Sequence, residues 1–137
     1  MDVLRGIMSD SCQIIPHKLL MGKKILVADD DPAIVDCLQI ILEDANYIVE
    51  TSSNGDTIPK VKLFKPDLIL LDVWMSGEDG RNICRYLKSQ EKTKHIPIIM
   101  ISATSYIEES TRKAGAEDFI PKPFQMDELL ERVERYV

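Results

Sequence analysis

The sequence predicts an α/β fold: a doubly wound, five-stranded parallel sheet with strand order 2-1-3-4-5 and helices on both faces. Two observations support this prediction. Short apolar runs that end at turn signals, such as 25–28 and 68–71, are typical of strands buried on both faces of a parallel sheet. Segments with apolar residues at helical spacing separate these runs, so that strand and helix alternate five times. The first, third and fourth strands are the most apolar, and we expect them at the centre.

The first helix follows a strand predicted at 24–28. Asp31 is expected to be its N-cap, with Pro32 in the first helical position. Its apolar residues share one face: Ile34, Leu38, Ile41, Leu42 and Ala45. A second strand, at about 47–51, alternates in polarity and is predicted at the edge of the sheet.

The middle of the chain repeats the pattern. A turn at Asn54-Gly55 precedes a helix at 57–64, which tolerates Pro59 in its first turn. The strand at 67–71 leads to Asp72. After a polar loop at 76–80, a helix is predicted to run to about residue 89.

The last part adds two further units. A strand at 97–101 is followed by a polar helix at about 106–114, which Gly115 ends. A short strand at 118–120 precedes a final helix that begins near residue 125. The residues predicted to form the inward face of this helix are Met126, Leu129, Leu130, Val133 and Val137.

Size and charge limit the classes of protein. At 137 residues the chain has the length of one domain. Its formal net charge of −6 argues against direct binding to nucleic acid. No apolar stretch approaches the length of a membrane span, so no membrane partner is expected.

The cysteines and the N-terminal segment carry no predicted function. Cys37 and Cys84 fall within helical patterns and are interpreted as small buried hydrophobes, and Cys12 lies far from both. Unpaired cysteines without a secretory signal predict a cytoplasmic protein. Residues 1–21 are interpreted as an extension before a second natural start, and the domain is expected at 22–137.

Acidic residues follow two of the predicted central strands. Asp29, Asp30 and Asp31 come directly after the first strand, and Asp72 comes directly after the third. The carboxyl ends of parallel strands meet at one edge of the sheet, where ligands bind in this architecture. Crowded carboxylates raise each other's pKa unless a cation neutralises them, and Mg²⁺ prefers oxygen ligands. We therefore predict a magnesium site at this edge.

Two further polar side chains follow the fourth and fifth predicted strands. Ser102 ends the fourth strand, and Lys122 follows the fifth. Acids, a hydroxyl and an ammonium group together suit a phosphoryl group. The acids hold Mg²⁺, one carboxylate attacks phosphorus, and Lys122 and Ser102 contact the phosphoryl oxygens.

These residues lie in segments that resemble a known family. The segments are ILVADDDP (25–32), PDLILLDVWMSGEDG (66–80), IPIIMISA (96–103) and GAEDFIPKPF (115–124). They make residues 24–137 similar to a response-regulator receiver domain of the chemotaxis-regulator kind, whose sheet is a flavodoxin-like (βα)5 arrangement. Ser76 departs from the pattern, because many relatives have proline at this position.

The resemblance implies a role for each site residue. The expected catalytic residues are Asp72, the phosphoryl acceptor, with Ser102 and Lys122. The expected metal ligands are Asp30 directly, Asp29 through water, Asp72, and Trp74 through its backbone carbonyl. It also implies a cis bond between Lys122 and Pro123.

Three more residues have two possible interpretations. Asp31 is expected to be a helix cap more than a ligand. Thr104 is either a cap or part of the access to the site. Phe119 is either core or the switch aromatic residue, which would turn inward after phosphorylation and reshape the surface at 103–137.

The resemblance also implies a function and partners. The chain is expected to be a phosphorylation-dependent switch, not an enzyme with a separate substrate. A sensor histidine kinase or phosphotransfer protein would supply the phosphoryl group. The face at 103–137 would bind a downstream effector or a second copy. The sequence leaves open whether this is a single-domain regulator or part of a longer protein.

Other classes of protein fit the sequence less well. A phosphatase of the haloacid-dehalogenase kind needs a second aspartate two residues after the nucleophile, where this chain has Trp74. A flavodoxin-like nucleotide binder needs a glycine-bearing phosphate loop where this chain has three acids. A pseudo-receiver, an interaction module that is never phosphorylated, remains as the alternative, although such proteins usually lack one of the site residues.

Overall fold

The computed structural model describes residues 22–53, 55–75 and 77–137. Five strands of this part form one parallel sheet: β1 (Lys24–Ala28), β2 (Ile48–Ser52), β3 (Leu68–Asp72), β6 (Ile98–Ser102) and β7 (Asp118–Pro121). The order is β2-β1-β3-β6-β7. Two short strands, β4 (Trp74–Met75) and β5 (Glu78–Asp79), form a separate antiparallel hairpin. With the hairpin set aside, the predicted order 2-1-3-4-5 and the predicted fold class are confirmed.

Helices cover both faces of the sheet. The α-helices of the described residues are α1 (Pro32–Asp44), α2 (Thr57–Phe64), α3 (Gly80–Ser89), α4 (Glu108–Lys113) and α5 (Met126–Tyr136). Core residues of α1 and α5 belong to one apolar cluster, and core residues of α2 and α3 belong to the other. The helices therefore lie on opposite sides, as a doubly wound sheet requires.

Each face of the sheet has its own core, because successive side chains of a strand point to opposite faces. The strand residues that cluster with α2 and α3 include Leu26, Ile69, Leu71, Ile98 and Met100. Those that cluster with α1 and α5 include Ile25, Val27, Leu68, Leu70, Ile99 and Ile101. All of these side chains are at most 2% exposed. The interior of the sheet is therefore apolar, and polar groups collect at the ends of its strands.

Two local predictions can be compared directly with the structure. Asp31 caps α1, since its Oδ1 accepts a hydrogen bond from Ala33 N at 3.0 Å, and Pro32 is the first helical residue. The helix predicted at 106–114 is shorter, because a 3-10 turn at Ser105–Ile107 replaces its first part. Hydroxyl groups in this segment hydrogen-bond backbone carbonyls of the preceding turn, which competes with regular helix geometry.

Two predictions of burial are wrong. Cys37 is exposed, and Met126 is 58% exposed. Helical spacing gives the direction of a side chain around the axis, but it does not say where along the axis the neighbouring core ends. Cys84 is buried as predicted, and burial raises the pKa of its thiol to about 11. Leu129 and Val133 of α5 are also buried as predicted.

Some predictions fall outside the described residues: the extension at 1–21 with Cys12, the Asn54 half of the predicted turn, and Ser76. None of the described helices is long and apolar enough to cross a membrane.

Gly80 holds the loop after β3 against the start of α3. Its N–H donates to Val73 O at 2.7 Å, and a Cβ atom on Gly80 would overlap the carbonyl oxygen of Asp72. The overlap is with backbone, which cannot rotate away as the end of a side chain can. Only glycine therefore fits at this position.

We expect Gly80→Ala to lower the free energy of unfolding by about 1–3 kcal/mol, the usual cost of overpacking a site that must shift. Urea unfolding followed by circular dichroism measures this. Asn82→Ala, at an exposed position of the same helix, is the control and should stay within about 0.5 kcal/mol of the parent. Equal stability of both variants would mean that the close approach at Gly80 does not constrain the loop.

Candidate functional site

Three carboxylates meet at the carboxyl edge of the sheet, where β1 and β3 lie side by side. Asp29 and Asp30 follow β1, and Asp72 is the last residue of β3. One oxygen from each carboxylate lies within 4.8 Å of the others. Asp29 is 3% exposed and Asp72 is 6% exposed. The structure thus brings together three of the four predicted metal ligands.

Lys122 provides the balancing charge. Its Nζ donates to Asp29 Oδ2 at 3.0 Å and to Asp72 Oδ1 at 3.2 Å. Burial alone would lower the pKa of Lys122, but the hydrogen bonds and charges of these two carboxylates outweigh burial and raise it. The ammonium group is therefore charged and lies between two acids, at the sheet edge where the sequence predicted it. The bond between Lys122 and Pro123 is cis, which confirms that prediction.

The carboxyl group of Asp72 is hard to ionise. Burial and then the charge of Asp29 raise its pKa to about 6, although Lys122 acts in the opposite direction. One ammonium group therefore does not fully compensate the cluster. A divalent cation that prefers oxygen ligands would supply the missing positive charge. The donor set is chemically suited to Mg²⁺.

Ser102 lies at the end of β6, the strand next to β3. It is 1% exposed, and its Oγ accepts a hydrogen bond from Thr104 N at 3.0 Å. A hydroxyl that accepts one bond keeps its own O–H as a donor. The backbone of Lys122 is held beside it, since Lys122 N donates to Ser102 O at 2.9 Å. Ser102 and Lys122 are thus neighbours across two strands, as the topology predicted.

The side chain of Trp74 takes part in contacts that the sequence did not predict. The ring is 49% exposed, and its Nε1 donates to Thr104 Oγ1 at 3.3 Å. The Arg81 guanidinium lies over the ring, 4.8 Å from its centroid. Thr104 precedes the 3-10 turn without a side-chain capping bond. Its side chain therefore does not act as a cap, and a role in access to the site stays a prediction.

Asp79 has a structural role instead of belonging to a solvated loop. It is the N-cap of α3 and accepts from Arg81 N at 2.9 Å. The Arg81 guanidinium also donates to both of its carboxylate oxygens, which lowers the pKa of Asp79. A capping pair of this kind is visible in the sequence as Asp-Gly-Arg before an amphipathic segment, but that signal is common in turns.

Phe119 lies in the core. Its side chain is 4% exposed and belongs to the same cluster as Ile107 and Ala114. The core interpretation of this residue therefore describes the structure. The movement of the ring after phosphorylation stays a prediction.

Residues 25–134 match the family described as response regulator receiver domain. The chain is 38% identical over 113 residues to the DNA-binding dual master transcriptional regulator RpaA of Synechocystis, covering 80% of this chain and 47% of that protein. It is 42% identical over 115 residues to the transcriptional regulatory protein ResD of Bacillus subtilis, covering 80% and 46%. The chain thus spans about half the length of these curated relatives.

Solved structures of receiver domains are similar to this chain as well. The receiver domain of NtrX from Brucella abortus has a TM-score of 0.75 at 34% identity, covering 82% of this chain and 96% of that one. A receiver domain of a sensor histidine kinase from Pseudomonas aeruginosa, described with a magnesium ion in its active-site cleft, has a TM-score of 0.74 at 28% identity, covering 84% and 97%. This chain belongs to the response-regulator receiver family, whose members are phosphorylation-dependent regulatory domains of two-component signalling.

The raised pKa of Asp72 gives a prediction about stability. The folded state keeps this proton up to about pH 6, whereas the unfolded chain loses it near 3.8. Because the folded state binds more protons in this window, stability should fall as pH rises from about 4 to 6. Without divalent cations, Asp72→Asn should therefore raise the free energy of unfolding at pH 7.5 by about 2–3 kcal/mol.

Urea unfolding in EDTA at pH 7.5 and at pH 4 measures this effect, and the gain should shrink at the lower pH. Asp44→Asn changes the same charge at an exposed position and should show little gain at either pH. If Asp72→Asn is no more stable than the parent at pH 7.5, the repulsion inferred at this edge is absent.

Proposed function

We propose that Asp72 accepts a phosphoryl group from the phosphohistidine of a sensor histidine kinase or phosphotransfer protein. The observation that carries this proposal is the pairing of a buried aspartate with Lys122, at the sheet edge where two more carboxylates lie within 4.8 Å. A carboxylate so placed is a nucleophile with a compensating cation already beside it. Membership of the receiver family supports the same role.

The transfer uses groups that the structure places together. A carboxylate oxygen of Asp72 forms the new bond to phosphorus as the bond to the donor imidazole nitrogen breaks, and the imidazole leaves with the bonding electron pair. Lys122 then pairs with a phosphoryl oxygen in place of the carboxylate, and the Ser102 O–H donates to another. Both groups stabilise charge where it develops, which supplies most of the catalysis in phosphoryl transfer.

Asp29, Asp30 and Asp72, with the backbone carbonyl of Trp74, would hold Mg²⁺. When bound, the ion would neutralise charge on the phosphoryl oxygens and on these crowded carboxylates. The oxygen-only donor set and the raised pKa of Asp72 support this assignment. The magnesium ion in the cleft of the Pseudomonas receiver domain is consistent with it.

The chain acts as a regulatory phosphoacceptor in this proposal. It catalyses its own phosphorylation and slow dephosphorylation, and it has no separate substrate. Nothing favours a pseudo-receiver, because the acids, the acceptor position and the lysine meet in one site.

We further assign residues 22–137 to a single domain and give 1–21 no function. A downstream effector or a second copy binds the face at 103–137. A cytoplasmic location agrees with Cys37 and Cys84, which are both free. RpaA is described as DNA-binding, so the absence of direct nucleic-acid binding stays a prediction from the net charge of this chain.

Metal binding should be visible through Trp74, the only tryptophan in the sequence. Mg²⁺ at millimolar concentration should change its fluorescence, because a few carboxylates with retained waters bind this ion weakly. Asp30→Asn should weaken the response by about tenfold or more in affinity, whereas Asp36→Asn, at an exposed position of α1, should not. A flat titration of the parent protein would remove the support for a metal site beside Trp74.

Phosphorylation should be detectable with acetyl phosphate, since the site supplies the catalysis and the donor only the phosphoryl group. Intact-mass analysis should show one added phosphoryl group that requires Mg²⁺ and is absent in Asp72→Asn. Lys122→Ala should slow the reaction at least tenfold, because it removes the charge that pairs with the phosphoryl oxygens. Label on a residue other than Asp72, or no label with Mg²⁺ present, would refute the assignment.

A further inference from the structure

Arg81 connects the start of α3, to which it belongs, with two other elements of the structure. Its Nε and Nη2 donate to the two carboxylate oxygens of Asp79, at 3.0 and 2.6 Å. Its Nη1 donates to Ser110 Oγ in α4 at 2.9 Å, and its guanidinium plane lies over the ring of Trp74. One side chain thus contacts the hairpin after Asp72, the start of α3 and the helix α4.

Trp74 also contacts the segment before α4 directly. Trp74 Nε1 donates to Thr104 Oγ1, so the ring that Arg81 covers is itself tied to the segment before α4. Ser110 Oγ in turn donates to Ile107 O at 2.8 Å, which extends the connection into the 3-10 turn. We refer to Trp74, Asp79, Arg81, Thr104 and Ser110 as the Arg81 contact network.

The geometry of this network is well defined. The pair with Asp79 is bidentate, and the side chains of Arg81 and Asp79 are only 20% and 27% exposed. A planar guanidinium held by two parallel hydrogen bonds cannot rotate to follow one partner without leaving another. A movement of the hairpin therefore displaces the donor that reaches Ser110.

Helix α4 is the shortest of the described α-helices. It has six residues, and within it only Thr111 is buried. Its contacts with the rest of the domain include the buried residues at its ends, Ile107 and Ala114, and the hydrogen bond from Arg81 to Ser110. The hydrogen bond from Arg81 to Ser110 reaches this helix directly, without Ser102 or Phe119.

We propose that Arg81 is a positioning residue that couples the loop after Asp72 to helix α4, through its simultaneous contacts with Trp74 and Ser110. The coupling exists in the resting protein. Its use as a signal after phosphorylation rests on the function proposed above. Coupling between two sites is reciprocal, so a change at Ser110 should also alter Trp74, to which Ser110 is linked through Arg81.

Acrylamide quenching of Trp74 fluorescence and amide hydrogen exchange of residues 105–113 measure the two ends separately. Arg81→Ala should raise the quenching constant about twofold, because it uncovers one face of the ring, and it should speed exchange in 105–113. Arg85→Ala removes the same charge one turn later, at an exposed residue, and should change neither measurement.

Ser110→Ala is the deciding variant. It should speed exchange in α4 and also raise the quenching of Trp74, whereas Ser105→Ala at an exposed position of the 3-10 turn should leave Trp74 unchanged. A purely local role of Ser110 would leave Trp74 as in the parent, and that result would overturn the proposal. This variant also keeps the test valid if Arg81→Ala fails to fold.

Beryllofluoride with Mg²⁺, a mimic of the phosphoryl group, then tests the signal. Exchange in 105–113 should respond to the mimic in the parent and in Ser105→Ala, and the response should fall by half or more in Ser110→Ala. If Asp72 is not a phosphoryl acceptor, exchange in 105–113 will not respond to beryllofluoride even in the parent. The quenching and exchange measurements without beryllofluoride would still test the coupling. An equal response in Ser110→Ala and the parent would exclude this network as a route for the signal.

Discussion

The ion pair between Lys122 and two buried carboxylates is the interaction on which the site depends. The sheet is apolar on both faces, so the polar side chains can gather only where strands end, and there the acids of β1 and β3 repel one another. Lys122 follows the last residue of β7, and its backbone N–H donates to Ser102 O, which holds it beside β6. From this position its side chain reaches Asp29 and Asp72. Removing Lys122 should cost about 3–5 kcal/mol, because the charges of Asp29 and Asp72 would be left buried and uncompensated. Removing Asp72 differs, because Lys122 keeps its pair with Asp29.

This arrangement leaves the site with too little positive charge to balance its carboxylates. One ammonium group faces three carboxylates, and the pKa of Asp72 stays raised to about 6. A site of this kind binds a cation and then a phosphoryl group, because each restores part of the missing balance. The apolar side chains of the central strands are almost completely buried, and this burial stabilises the fold against the repulsion. Functional sites commonly oppose stability in this way.

The same packing decides how a change at Asp72 can reach the surface. Phe119 is enclosed in the core on the side of the sheet that α2 and α3 cover. Helix α4 is short and has little buried surface of its own, which makes it the element most easily displaced. Arg81 contacts both the hairpin next to Asp72 and this helix. The connection is a bidentate, partly buried pair, which holds its geometry better than an exposed ion pair would.

The sequence by itself determined the alternation of strands and helices, the order of the sheet, and the meeting of Asp29, Asp30, Asp72, Ser102 and Lys122 at one edge. These follow from local periodicity and from a rule of topology, both of which are readable along the chain. Only the tertiary structure decided that Cys37 and Met126 are exposed, that Phe119 is enclosed, and that Arg81 reaches Ser110. Arg81 and Ser110 are 29 residues apart, and no periodic pattern reports which side chains of two separate helices meet. That is settled by how far each helix extends over the sheet and by where its neighbours end.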